Sequence, residues 1–123
     1  MSQPMPKPAE IHSEALRIAG ERVYRDDVIE VTYPYTGEVI ATVPKATLED
    51  VRRAYRLARD YKPTLTRYER YKILMRAGEI IASRLDEISR VITYESGLSR
   101  KDSLYEVGRA SDVLLFAANQ ALV

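Results

Sequence analysis

Residues 66–122, TRYERYKILMRAGEIIASRLDEISRVITYESGLSRKDSLYEVGRASDVLLFAANQAL, decide the fold of this chain. Almost all of the stretch has a helical period. Thr66 with Glu69, and Ser99 with Asp102, each place an N-cap hydroxyl three residues before a carboxylate. Between these starts, Ile73, Leu74, Ala77, Ile80, Ile81 and Leu85 fall on one face of a 3.6-residue helix. Leu104, Val107, Ala110, Ser111, Leu114, Ala118 and Leu122 form one stripe of the last segment. Helices are therefore expected over 66–84 and 99–122. Ser83 with Asp86 suggests a break and a restart, which gives a shorter helix over 86–95. Gly97 is the expected left-handed residue past its end.

Upstream, the pattern changes from helix to strand. Leu16, Ile18 and Val23 flank Gly20 as two short strands around a turn. Residues 28–33 and 38–43 alternate around Pro34-Tyr35-Thr36-Gly37, a turn with Pro early and Gly last. Together these segments predict β-hairpins within 15–43. Such hairpins need a partner surface, because an isolated one is marginal in water. Thr47 with Asp50 then opens a helix over 47–61, which Pro63 ends. Its apolar stripe is Val51, Ala54, Tyr55 and Ala58; Arg52, Arg53, Arg56 and Arg59 lie opposite. A basic stripe could hold phosphate, but its commoner meaning is a solvated face. Residues 1–14, with Pro4, Pro6 and Pro8, read as a flexible tail, and the single histidine, His12, as a solvated residue within it.

Composition excludes several kinds of chemistry. The 123 residues are 46% hydrophobic and 30% charged with a net charge of +1, an ordinary globular balance. Residues 1–61 carry nine basic and ten acidic groups and residues 62–123 ten and eight, so neither half is a basic arm for nucleic acid. With no cysteine there is no disulfide, no thiolate nucleophile and no Cys-ligated metal. No apolar run has the roughly 20 residues of a membrane span, and the N-terminus has no signal-peptide core, so a cytoplasmic protein without membrane contact is expected. Gly20, Gly37, Gly78, Gly97 and Gly108 lie too far apart for a phosphate-cradling loop. The carboxylate pairs Asp26-Asp27, Glu49-Asp50 and Asp86-Glu87 sit at turns or helix starts, where turn chemistry or the helix dipole accounts for them. Tyr68 and Tyr71 interleave with Arg67 and Arg70, which could stack bases, but near-zero net charge favours ordinary interface tyrosines.

The last helix holds the single candidate site. Gly108 in mid-helix costs about 1 kcal/mol relative to alanine, and such a glycine usually leaves room for a neighbour. Arg109 follows it and Glu106 precedes it on the same turn. An arginine there could present its planar fork to a phosphate or phosphonate. On helix pattern alone, a surface or interdomain ion pair is the favoured alternative.

Several residues also carry a family resemblance. Ile18-Ala19-Gly20-Glu21, Tyr33-Pro34-Tyr35-Thr36-Gly37-Glu38-Val39-Ile40, Val43-Pro44, Ala46-Thr47 with Glu49-Asp50-Val51, Arg67 to Leu74, Glu95-Ser96-Gly97, and Glu106-Val107 with Ala110 and Asp112 follow in order. Over residues 15–123 this series resembles the start of an NAD(P)-dependent aldehyde dehydrogenase. YKPTLTRYER and SRKDSLYEVGRASDVLLFAA are most similar to the phosphonoacetaldehyde dehydrogenase branch. Two departures stand out: Tyr33 replaces the usual asparagine before Pro34, and Phe116-Ala117 stands where many relatives have two tyrosines.

The resemblance implies an α/β family fold, of which this chain supplies N-terminal β-hairpins followed by three to four α-helices: an α+β piece, mostly helical. It implies NAD or NADP as cofactor of the complete enzyme, oxidation of an aldehyde (phosphonoacetaldehyde in that branch) to a carboxylate, and a homo-oligomer. The cysteine nucleophile and cofactor loop of the family are not in these residues. The chain alone is therefore expected to be inactive, with the remainder of the enzyme as its partner. It has no catalytic, cofactor-binding or metal-binding residue of its own; Glu95, near which some relatives hold a monovalent cation, is left unassigned. Arg109 is the one position to which the resemblance gives a role, that of holding the substrate phosphonate. A last helix with no stop signal after Leu122 adds the expectation that the chain is part of something longer. The competing reading is a non-enzymatic helical interaction module.

Overall fold

A computed structural model describes residues 11–123. Most of the expected tail, residues 1–10, lies outside the described residues. The chain divides at Lys62/Pro63 into two compact units.

The described residues of the first unit form five short strands and one helix. β1 is His12–Ser13, β2 Leu16–Ile18, β3 Glu21–Val23, β4 Val28–Thr32, β5 Val39–Pro44, and α1 Leu48–Asp60. β2 and β3 form an antiparallel hairpin in which Leu16 faces Val23 and Ile18 faces Glu21. Its two-residue turn has positive φ at both positions, 50° at Ala19 and 84° at Gly20. That pattern defines a type I′ turn, whose twist matches that of the strands.

β4 and β5 form the second expected hairpin, with Ile29 opposite Val43 and Val31 opposite Ala41. The carbonyl of Tyr33 accepts from Thr36 N at 3.1 Å and Gly37 N at 2.7 Å, and Gly37 takes φ 75°. β1 pairs with β5 in parallel, His12 opposite Ala41, which gives the sheet order β1-β5-β4. This pairing lies inside the stretch expected to be a tail. Two residues carry no readable strand period, and the backbone of β5 is what orders them. His12 itself is exposed, with Nε2 3.8 Å from Glu14 Oε2.

α1 begins at Thr47 with a complete capping box. Its apolar stripe behaves differently from expectation. Ala54 is half-buried, but Val51 is 43% and Tyr55 75% exposed, and the buried residue of the helix is Asp50. Among the arginines opposite, Arg53 pairs with Glu21 at 2.5 Å, Arg56 with Glu49 at 2.6 Å and Arg59 with Asp60 at 2.8 Å.

The second unit is three helices: α2 Arg67–Ser83, α3 Leu85–Ser96 and α4 Arg100–Gln120. α4 packs against both α2 and α3. Thr66 and Ser99 cap α2 and α4 as read from the sequence, and Gly97 ends α3 at φ 74°. Ser83 does not open α3. It stays in the last turn of α2 and donates its hydroxyl to Ile80 O at 2.8 Å. Serine inside a helix commonly bonds back in this way. The chain bends instead at Arg84, which offers α3 no side-chain cap.

Small residues set the packing within this unit. Ser89, Ser103 and Ala118 are fully buried and Val107 is 1% exposed. The hydroxyls of Thr93 and Ser103 are 2.7 Å apart. Arg100 reaches across to the Asp86 carboxylate and the Ser89 hydroxyl, tying the first turn of α4 to α3. The stripe expected on α2 is divided: Leu74, Ala77 and Ile81 are half-buried, whereas Ile73 is 54% and Ile80 40% exposed. On α4, Ala110 also points away from the packed side.

Candidate substrate-binding site

The site is built on α4. Ser99 Oγ accepts from Asp102 N at 3.2 Å and donates to Asp102 Oδ2 at 2.7 Å, which fixes the start of the helix. Val107, buried one residue before Gly108, fixes which side of the helix faces the packed interior. The opposite side carries Tyr105, Glu106 and Arg109, all exposed. The NH1 of Arg109 lies 3.3 Å from Glu106 Oε1 and 3.4 Å from Oε2, both side chains about half exposed at 59% and 45%. The guanidinium carbon lies 5.9 Å from the centroid of the Tyr105 ring. A cation in this range is attracted to the ring face.

Of the two readings of Arg109 open at the level of sequence, the geometry shows the local ion pair with Glu106, and the Arg109 side chain is more than half exposed. The contact with Tyr105 was missed by the motif. Its signal is the four-residue spacing, which brings two side chains together on a helix. Gly108 leaves open space, for a Cβ added there meets nothing within 4 Å. The space it leaves is not used by any described residue. The close helix–helix approach occurs at Gly78, where an added Cβ would lie 3.7 Å from Leu114 Cβ and 3.8 Å from Ser111 O. A shallow groove of about 230 Å³ follows that contact, lined by Leu74, Met75, Glu79, Ala82, Asp112 and Leu115.

Among the described residues no two glycines lie close enough to form a phosphate-cradling loop. Three glycines with positive φ, Gly20, Gly37 and Gly97, each serve a turn or a helix end. The N-termini of α1, α2 and α4 are each occupied by the helix's own cap, Thr47 with Asp50, Thr66 with Glu69, and Ser99 with Asp102, whereas α3 has no side-chain cap. Among the described residues no group of three or more His, Asp or Glu side chains could hold a metal ion, and no helix is long and apolar enough to cross a membrane.

The most perturbed acid lies elsewhere, at Asp50. Thr47 N donates to it at 2.9 Å, Arg25 NH2 at 2.5 Å and Thr47 Oγ1 at 2.8 Å. The backbone N–H of Thr47, then the Arg25 side chain, hold its carboxyl down at about 2. An acid so fully hydrogen-bonded is occupied in holding the entry to α1.

Comparison with known proteins gives this fold its setting. Residues 23–122 match the aldehyde dehydrogenase family. Over 113 residues the chain is 34% identical to the 3-sulfolactaldehyde dehydrogenase of Priestia aryabhattai, covering 91% of this chain and 24% of that protein. It is 32% identical over 104 residues to the lactaldehyde dehydrogenase of Methanococcus aeolicus, covering 82% of this chain and 22% of that protein. The structure of aldehyde dehydrogenase 21 from Physcomitrella patens, in complex with the reaction product succinate, superposes with a TM-score of 0.84 at 31% identity. That match covers 91% of this chain and 24% of the other. The small strands and four helices correspond to the N-terminal part of such folds. The chain belongs to the aldehyde dehydrogenase family, and it spans about a quarter of the length of the curated relatives it matches.

Proposed function

We propose that this chain is the N-terminal shell of an NAD(P)-dependent aldehyde dehydrogenase, and that the complete, homo-oligomeric cytoplasmic enzyme oxidises an aldehyde bearing an anionic group to a carboxylate. The observation that carries the reading is the match to the family across 23–122 together with the fold. The cysteine nucleophile and the cofactor site come from residues outside this chain, which has no cysteine.

Arg109 is the residue we assign to the substrate, as the group that grips a tetrahedral oxyanion. Its accessible guanidinium on α4 supports this, and a planar fork suits such an anion. The substrate class we favour is an aldehyde carrying a phosphonate or a sulfonate, phosphonoacetaldehyde among them. A relative named for 3-sulfolactaldehyde, which carries a sulfonate, keeps the same charge logic.

The exposed apolar residues of α4, Val113 at 63%, Leu115 at 47% and Phe116 at 75%, are what a shell awaiting its partner domain would present. A self-contained interaction module would cover them with its own neighbours. The test is to assay the 123-residue chain alone with NAD and NADP and with anionic and neutral aldehydes, beside a melt in a hydrophobic dye. No aldehyde-dependent NAD(P)H and strong dye binding before the melt are expected. Reduced cofactor formed by the chain alone, or a dye-silent cooperative melt, overturns the proposal.

A further inference from the structure

The Glu106 carboxylate beside Arg109 suggests more than an ion pair. Unpaired, an arginine grip carries +1 and favours whichever anion has the most charge. Here a carboxylate oxygen lies 3.3 Å from the same guanidinium, so the pair is neutral as a unit. The pair also orients the fork. NH1 faces Glu106 while the guanidinium sits above Tyr105, and the remaining N–H groups are left to donate to a ligand.

We infer that Glu106 is a specificity-determining residue, which sets the grip to prefer singly charged tetrahedral anions over doubly charged ones. This rests on the reading of Arg109 as the substrate grip. A sulfonate carries one negative charge; a phosphonate, like a phosphate ester, carries between one and two near neutral pH. The additional charge on the phosphonate meets Glu106 at close range, whereas the bidentate hydrogen bonds to Arg109 are the same for both anions. Across the roughly 6 Å between that charge and the carboxylate, in a half-exposed site, repulsion is worth roughly a three- to tenfold difference in selectivity.

The experiment measures kcat/KM of the complete dehydrogenase for a phosphonate aldehyde, a sulfonate aldehyde and a neutral aldehyde of similar size. Glu106→Gln keeps the size of the side chain and removes its charge. It is expected to raise the phosphonate-to-sulfonate ratio roughly three- to tenfold, mainly through KM. Glu106→Asp restores the charge and is expected to return the ratio toward the parent value. An unchanged ratio in Glu106→Gln overturns the inference, as does a ratio that rises equally in Glu106→Asp, which would mark a merely structural effect. Arg109→Ala separates the two levels. If it removes the preference for both anions while Glu106→Gln changes nothing, the grip stands and only the role of Glu106 fails. If Arg109→Ala leaves the anion preference intact, the grip and this inference fall together.

Discussion

Arg25 and Asp50, twenty-five residues apart, meet with NH2 2.5 Å and Nε 3.3 Å from the two oxygens of one buried carboxylate. The same carboxylate closes the capping box of α1, so one acid joins the segment after β3 to the start of the helix. Its folded pKa of about 2 lies below the ordinary 3.8, so the folded state binds the proton less readily than the unfolded one. The stability it contributes is complete above about pH 4 and is lost as pH falls toward 2. Asp50→Asn should lower the thermal midpoint at pH 7 and flatten the change in midpoint between pH 4 and 2. An unflattened acid transition in the variant would show that other carboxylates govern it.

Ala19 takes φ 50°, a left-handed conformation that costs an L-residue with a Cβ about 1 kcal/mol. Asparagine tolerates it better and is favoured at the first position of a type I′ turn. Ala19→Asn should therefore stabilise the β2–β3 hairpin by about 0.5–1 kcal/mol, read as a higher denaturation midpoint at unchanged slope.

Arg100 ties α4 to α3 through Asp86 and the fully buried Ser89. Arg100→Met keeps much of the volume and removes the donors. We expect a loss of about 1–2 kcal/mol, less than for a fully buried pair because Asp86 is 68% exposed. Faster amide exchange in the first turns of α3 and α4 would locate the loss; exchange that changes only in α2 would contradict it.

Gly108 faces open space in this chain, so Gly108→Ala should stabilise α4 by up to about 1 kcal/mol. If the vacant volume belongs to the substrate path of the complete enzyme, the same substitution should raise KM for the aldehyde. A more stable enzyme with unchanged KM would free Gly108 of that role.

Arg109→Ala in the complete enzyme should raise KM for a phosphonate aldehyde roughly tenfold or more, a charged hydrogen bond being worth about 1.5–3 kcal/mol. The effect on a neutral aldehyde of similar size should be much smaller. Equal effects on the two would remove the anion-holding role.

Much of the fold was legible because it rests on local rules. Thr47, Thr66 and Ser99 are followed three residues later by Asp50, Glu69 and Asp102, and all three hydroxyls accept from that residue's N–H. Gly20, Gly37 and Gly97 stand where the backbone needs positive φ. β1 was not legible, because its order is lent by β5 across twenty-nine residues of chain. The Ser83 signal located the break between α2 and α3 to within a residue but not its cause, because the Ser83 hydroxyl bonds the carbonyl of Ile80 and caps nothing.

Within the site, sequence placed Arg109 and Glu106 on one turn but not the ring of Tyr105 beneath the Arg109 guanidinium. A helical period shows which residues share a face, yet it cannot say whether another element covers that face. Val51, Tyr55 and Ile73 have the period of core positions and are exposed. The sequence by itself determined where each helix starts, where the turns fall and which side chains neighbour one another along α4, since those depend on contacts a few residues apart. Only the tertiary structure decided which stripes are buried, that Ser89 and Ser103 lie buried where α3 meets α4, and that Asp50 rather than an apolar residue is the buried group of α1. Burial depends on what the rest of the chain brings to a face, and no local pattern records that.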